Sequence, residues 1–139
     1  MKYKNACCVG VGLLVWMSTA LGSGINGDKC ENIRDSLGVF ECSKDKKEYA
    51  DNRLHENYSL LVARIKSQFE RDQPLGEKYL LVVKKSQLAW IDLRNSNCAL
   101  EAFEIEHGSQ VYEVVVNNCV ARMSEERTDY LSDISPGLQ

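Results

Sequence analysis

The chain has 139 residues, 17 of them Lys or Arg and 20 of them Asp or Glu, for a formal net charge of -3. No basic cluster or aromatic-basic platform is visible, so nucleic acid is not an expected partner. There is also no phosphate-cradling glycine loop, Rossmann fingerprint, His-Glu-x-x-His or Gly-x-Ser-x-Gly, which leaves the corresponding nucleotide, zinc and serine chemistries without their residues.

Residues 1–22 read as a cleavable export signal. Lys2 and Lys4 open it, an apolar stretch runs from Ala6 to Met17, and small residues close it. Ala20 and Gly22 stand three and one before a cut ahead of Ser23, and Ser18-Thr19-Ala20 offers a second site. The apolar run is about 12 residues, against roughly 20 for a membrane span. No later stretch is longer and more apolar, so no stable membrane insertion is expected. The expected product is an exported, periplasmic bacterial chain. It comprises one domain over residues 23–135 and a short tail over 136–139, beginning at Pro136-Gly137. Without Lys2 and Lys4 it carries 15 basic and 20 acidic residues, a net charge near -5. That surface would attract a basic protein, although mild acidity also serves solubility alone.

Cys7 and Cys8 leave with the signal. The other four cysteines, Cys30, Cys42, Cys98 and Cys119, enter an oxidising compartment and are expected to pair.

The first main helix is expected from about Lys44 to Phe69, with Ser43 as its cap and Asp45 and Glu48 near its positive end. Ala50, Leu54, Tyr58, Leu61, Ile65 and Phe69 recur at steps of three and four, which sets them on one face. A short turn or helix around Glu31 to Leu37 precedes it, with Gly38 as a stop. Pro74-Leu75-Gly76 divides this pattern from the next. The second helix is expected from about Glu77 to Ala102. Leu80, Val83, Gln87, Trp90 and Leu93 form its inner stripe, and Leu81, Val82 and Leu88 widen it. The third is expected from about Ser109 to Leu131, with Ser109 as cap and Val111, Val115, Cys119 and Met123 on one stripe, beside Val114, Ala121 and Tyr130. Val114-Val115-Val116 is β-prone by propensity. Three helices with short connections define an all-α, small antiparallel bundle, stapled by two disulfides.

Folding the first helix back on the second around residues 71–76 aligns positions whose numbers sum to about 145–148. Asp51 then meets Arg94 above a Leu54–Trp90 layer, and Tyr58 meets Gln87. An arginine fork suits a carboxylate, and a structural ion pair is the reading adopted over ligand binding by Arg94. Trp90 is likewise read as core. The same arrangement brings Cys98 near Cys119, the preferred bond, and leaves Cys30 with Cys42 by elimination. The two other connectivities stay open, since four cysteines allow three. Zinc is the competing use of these cysteines. None of them forms a Cys-x-x-Cys pair, and neither His55 nor His107 stands at zinc-ligand spacing. No cofactor or metal is expected.

These residues carry a resemblance. Cys30 and Cys42, Ala50-Asp51-x-x-Leu54-x-x-x-Tyr58, Gln87-x-Ala89-Trp90-x-x-x-Arg94-x-x-x-Cys98, Gly108-Ser109, Cys119 and Ser124-x-x-Arg127-x-x-x-Leu131 resemble the LprI-type lysozyme-inhibitor domain family of exported bacterial proteins. The resemblance spans about residues 30–131. It implies inhibition of lysozyme. Three positions depart from it: the family commonly has Asn at the place of His55, Asp at Asn95 and Thr at Ser124.

No catalytic constellation accompanies the scaffold. His55 and His107 lack an evident nucleophile, and Glu101, Glu104 and Glu106 read as solvated surface. The chain is therefore expected to be no enzyme; the resemblance implies that it binds a peptidoglycan-degrading enzyme and occludes its active site. The target would be a lysozyme or a secreted cell-wall-attacking toxin met by an immunity protein. The preferred contact is the loop from Ala102 to Ser109, with Phe103 as apolar anchor and Glu104, Glu106, His107, Gly108 and Ser109 around it. The plainer reading is an ordinary connection in which Gly108 turns and Ser109 caps. The Asp72 to Glu77 loop is a second candidate. The rival function is a non-inhibitory envelope structural or stress-related protein. Neither the target's identity nor the oligomeric state follows from the sequence.

Overall fold

A computed structural model describes residues 30–31 and 33–135. The expected export signal and the tail at 136–139 lie outside these residues. The described chain forms three helices, α1 (Ser36–Gln68), α2 (Gln73–Glu101) and α3 (Gln110–Asp133), with no strand among the described residues. The β-prone valines 114–116 are helical. They are half-buried, with Val116 packed on the cluster of Cys98, Cys119, Val120 and Met123, and tertiary context of this kind commonly outweighs intrinsic preference.

α1 starts earlier than its pattern suggested. Its cap is Asp35, whose carboxylate accepts a 2.7 Å hydrogen bond from the Gly38 amide. Gly38 is thus no stop but part of the first turn. A Cβ there would sit 3.3 Å from both the Asp35 carboxylate and the Ile33 side chain, so a side chain would crowd the cap. Ser43, expected as the cap, is buried eight residues inside the helix region. Its hydroxyl donates to the Phe40 carbonyl at 2.7 Å and accepts from the Asn117 amide at 3.2 Å. The short element expected around residues 31–37 lies partly outside the described residues; Ser36 and Leu37 belong to α1.

α2 also starts early. Asp72 accepts from the Leu75 amide at 3.2 Å, and Pro74 stands in the first turn, where a missing amide proton costs no helical bond. The connection around 69–72 is tight because Gly76 lies against Phe69: a Cβ on Gly76 would come within 2.9 Å of the Phe69 Cβ. Residues 73–77, expected as loop, are therefore the first turn of a helix.

Helix direction follows from the side-chain pairs. Ser43 with Asn117, Asp51 with Ser124 and Arg64 with the Leu131 carbonyl ascend together, so α1 and α3 run parallel. Asp51 with Arg94, and Gln87 with Arg127, run in opposite order, so α2 is antiparallel to both. One core cluster gathers Leu54, Leu61, Ile65, Val83 and Leu131, with Tyr58, Leu80 and Trp90 packed on it. A second holds Cys98, Cys119, Val120 and Met123. Each large aliphatic side chain so buried contributes roughly 1.5–3 kcal/mol. Cys98–Cys119 joins α2 to α3, and Cys30–Cys42 ties the N-terminal segment to α1.

α1 and α3 form the most intimate pair, and α2 lies more loosely on them. The widened inner stripe expected on α2 is therefore not found. Leu81, Val82, Leu88 and Leu93 are all more than half exposed. The inward side of α2 runs through Gly76, Tyr79, Leu80, Val83, Gln87, Trp90, Arg94 and Cys98. Val111 and Tyr130 on α3, expected near the core, are exposed as well. Among the described residues, no helix is long and apolar enough to cross a membrane.

Candidate functional site

Two regions carry the residues singled out by sequence: a polar cluster at mid-bundle and the loop between α2 and α3. The mid-bundle cluster forms because three helices each supply one polar residue at the same height. Arg94 Nη1 donates to Asp51 Oδ1 at 2.9 Å and to Ser124 Oγ at 3.1 Å, while Ser124 Oγ donates to Asp51 Oδ1 at 2.9 Å. Lys47, one turn before Asp51, adds a 3.2 Å contact to the other carboxylate oxygen. Ser124 is fully buried, whereas the Asp51 side chain keeps 32% exposure. The guanidinium also lies 5.1 Å from the Trp90 ring centre. Arg127 approaches the same ring at 5.7 Å and Tyr130 at 4.9 Å. Burial pushes the Arg127 guanidinium below its usual pKa, and neighbouring Tyr130 acts in the opposite direction. Trp90 thus packs on the core with two cations near its ring, and it also lines the open groove between α1 and α2.

Two family departures fall in this cluster. Asn95 Oδ1 accepts from Arg94 Nε and Nη2, both at 3.3 Å, so it steadies the guanidinium from outside as an acid could. Ser124 supplies the hydroxyl that a threonine would also supply. His55 is exposed and lines an open groove of about 400 Å³ between α1 and α2, beside Leu54, Tyr58 and Leu88.

The 102–109 loop is short and internally bonded. Ile105 N donates to the Ala102 carbonyl at 3.0 Å and Ser109 N to that of Glu106 at 3.1 Å. Gly108 has φ +78°, the left-handed region glycine tolerates best. Ser109 Oγ caps α3 by accepting from the Tyr112 amide at 3.2 Å. His107 is exposed, with its ring 4.7 Å from that of Tyr112. Glu104 and Glu106 are exposed, and Phe103 is 81% exposed. Gly108 and Ser109 therefore have conformational work of their own, while Phe103, Glu104 and Glu106 project without an evident structural task. Beneath them, Ala102 is fully buried and the Cys98–Cys119 bridge closes the root of the loop.

Further exposed apolar residues share this end of the bundle. Leu100 is 71% exposed, Val111 61% and Leu37 61%. Gln110 donates to the Ser36 carbonyl, which draws the starts of α3 and α1 together there. The patch is hidden in the sequence because Val111 fits a helical stripe and Leu37 falls in the short element expected before the first main helix. Leu100 falls outside the α2 inner stripe, and that was the available signal. Among the described residues, no group of three or more His, Cys, Asp or Glu is placed to hold a metal ion.

The described residues form a small three-helix protein braced by two disulfides. The chain belongs to the lysozyme inhibitor LprI family, whose profile matches residues 28–131. This is a family of inhibitors rather than enzymes. The chain is also 29% identical over 111 residues to an uncharacterized protein of Rhizobium meliloti, covering 76% of this chain and 77% of that one. In structure it resembles a DUF1311 family protein from Pseudomonas putida, with a TM-score of 0.66 and 26% identity. That match covers 76% of this chain and 99% of the other.

Proposed function

We propose that this protein is an exported periplasmic inhibitor that binds a peptidoglycan-degrading enzyme and blocks its cleft with the 102–109 loop. Membership of the lysozyme inhibitor LprI family over residues 28–131 is the observation that carries this reading. The target is a lysozyme or a secreted wall-attacking enzyme, against which the chain would act as an immunity protein.

Physical considerations support the choice of loop. An inhibitor gains affinity when its contact surface is ordered before binding, because less entropy is lost on association. The loop has internal hydrogen bonds, a capped helix after it and a buried disulfide beneath it. Phe103 offers the large aromatic surface that hot spots favour. Glu104 and Glu106 surround it with negative charge, which steers association with a basic target. Inhibition in this reading is occlusion, with no bond made or broken by the inhibitor.

The test is muropeptide release by purified lysozymes and by amidase, muramidase and peptidase wall hydrolases, each titrated with the signal-free protein. One class should be inhibited stoichiometrically. Phe103→Ala with Glu104→Ala and His107→Ala should weaken that inhibition at least tenfold, about 1.4 kcal/mol, with an unchanged melting temperature. Failure against every class, or turnover of a substrate by the pure protein, would reject the reading. A drop in melting temperature would instead mark the loop as scaffold.

A further inference from the structure

Among the described residues, the outward face of α2 has no partner. Leu81, Val82, Leu88 and Leu100 are 67%, 64%, 55% and 71% exposed, and Ala89 is exposed between them. At 100° per residue these positions fall on the side opposite Val83, Gln87, Trp90 and Arg94. Apolar residues therefore line both sides of α2, although the bundle uses only one. An exposed apolar strip of this kind marks an interaction surface.

Charge on the strip points to its occupant. Lys85 and Asp92 both lie on this face, both exposed, with Leu88 and Ala89 midway between them. Two copies of α2 laid antiparallel about that midpoint bring Lys85 of each copy to Asp92 of the other. Leu81 then comes opposite Ser96, and Leu88 and Ala89 meet across the axis. Parallel pairing would oppose Lys85 to Lys85 and Asp92 to Asp92, which is unfavourable. A face complementary to itself under a two-fold rotation is what an isologous dimer requires. We infer that the outward face of α2 is a homodimer interface, formed by antiparallel packing of α2 on α2 of a second copy.

Its size sets its strength. The helix has 29 residues, about 43 Å at 1.5 Å per residue. A single helix face of that length lies toward the small end of specific interfaces, so dimerisation is expected at micromolar rather than nanomolar concentration. The arrangement sends the two 102–109 loops to opposite ends of the dimer and leaves both accessible.

Sedimentation equilibrium on the signal-free protein from low micromolar to near-millimolar concentration tests the inference, with far-UV circular dichroism as the folding control. The wild type should pass from monomer to dimer. Lys85→Asp and Asp92→Lys should each shift the midpoint at least tenfold upward, and the two together should restore it, because the swap recreates the complementarity. As a second measurement, Ala89→Cys should give a covalent dimer under mild oxidation, while Asp129→Cys, exposed on α3, should not. A monomer at all concentrations, charge variants without effect, a double swap that fails to restore, or equal cross-linking from both cysteines would overturn it.

Discussion

Replacing Arg94 with alanine tests how the three helices are locked together. The substitution removes a charged hydrogen bond to Asp51, one to Ser124 and a cation–π contact with Trp90. A hydrogen bond to a charged group contributes about 1.5–3 kcal/mol, and a partly exposed cation–π contact about 0.5–1 kcal/mol. Asp51 is not stranded, however. It keeps Ser124 at 2.9 Å and Lys47 at 3.2 Å, and its 32% exposure admits water. A fully buried orphan carboxylate would cost about 3–5 kcal/mol; here partial exposure and the remaining partners reduce the expected loss to about 2 kcal/mol. For a domain of this size that corresponds to a fall in Tm of roughly 8–15 °C. Urea unfolding followed by far-UV circular dichroism measures it. A double-mutant cycle with Asp51→Asn isolates the pair and should give a coupling of at least about 1 kcal/mol. Arg94→Lys should recover less than half, because one ammonium cannot bridge two acceptors and cover the indole in the same geometry. A stability change below about 0.5 kcal/mol, or strictly additive single substitutions, would refute the reasoning.

Other substitutions probe the remaining supports. Opening the Cys98–Cys119 bond, which spans a sequence separation of 21, with a paired Cys→Ser change should cost about 3 kcal/mol by loop entropy, read as a lower urea midpoint. Ser43→Ala removes the buried partner of the Asn117 amide and should cost about 1–3 kcal/mol in the same assay; Ser43→Thr, which keeps the hydroxyl, should lose less. Gly76→Ala drives a Cβ to 2.9 Å from Phe69, so a Tm loss from about 1–3 kcal/mol of overpacking is expected, in contrast to the small gain usual for Gly→Ala in a helix.

Much of the fold was legible in the chain. The run Ala50, Leu54, Tyr58, Leu61, Ile65 and Phe69 records a 3.6-residue period, and a period assigns a face whatever the neighbours are. Antiparallel return through a short turn then follows from geometry, so Asp51 and Arg94 could be set opposite one another before any coordinates. The disulfides were legible only as a preference, since spacing alone permits three pairings.

The start of α3 at Ser109 was legible, but that of α1 was not, because Ser43 and Asp35 are both capping residues and choosing between them requires the tertiary partner. Asn117 on α3 claims the Ser43 hydroxyl, and that contact, 74 residues away, is invisible to local pattern. The outer face of α2 was misread for a related reason. Leu81, Val82 and Leu88 are as apolar as core residues, and composition records how readily a side chain leaves water, not whether a neighbour is there to receive it. By itself, then, the sequence determined the three helices, their order and the inner stripe of α1. The packing of α1 on α3, with α2 laid loosely across them, decided which apolar face stays outside and which end of the bundle presents Phe103, because burial depends on the position of every element at once.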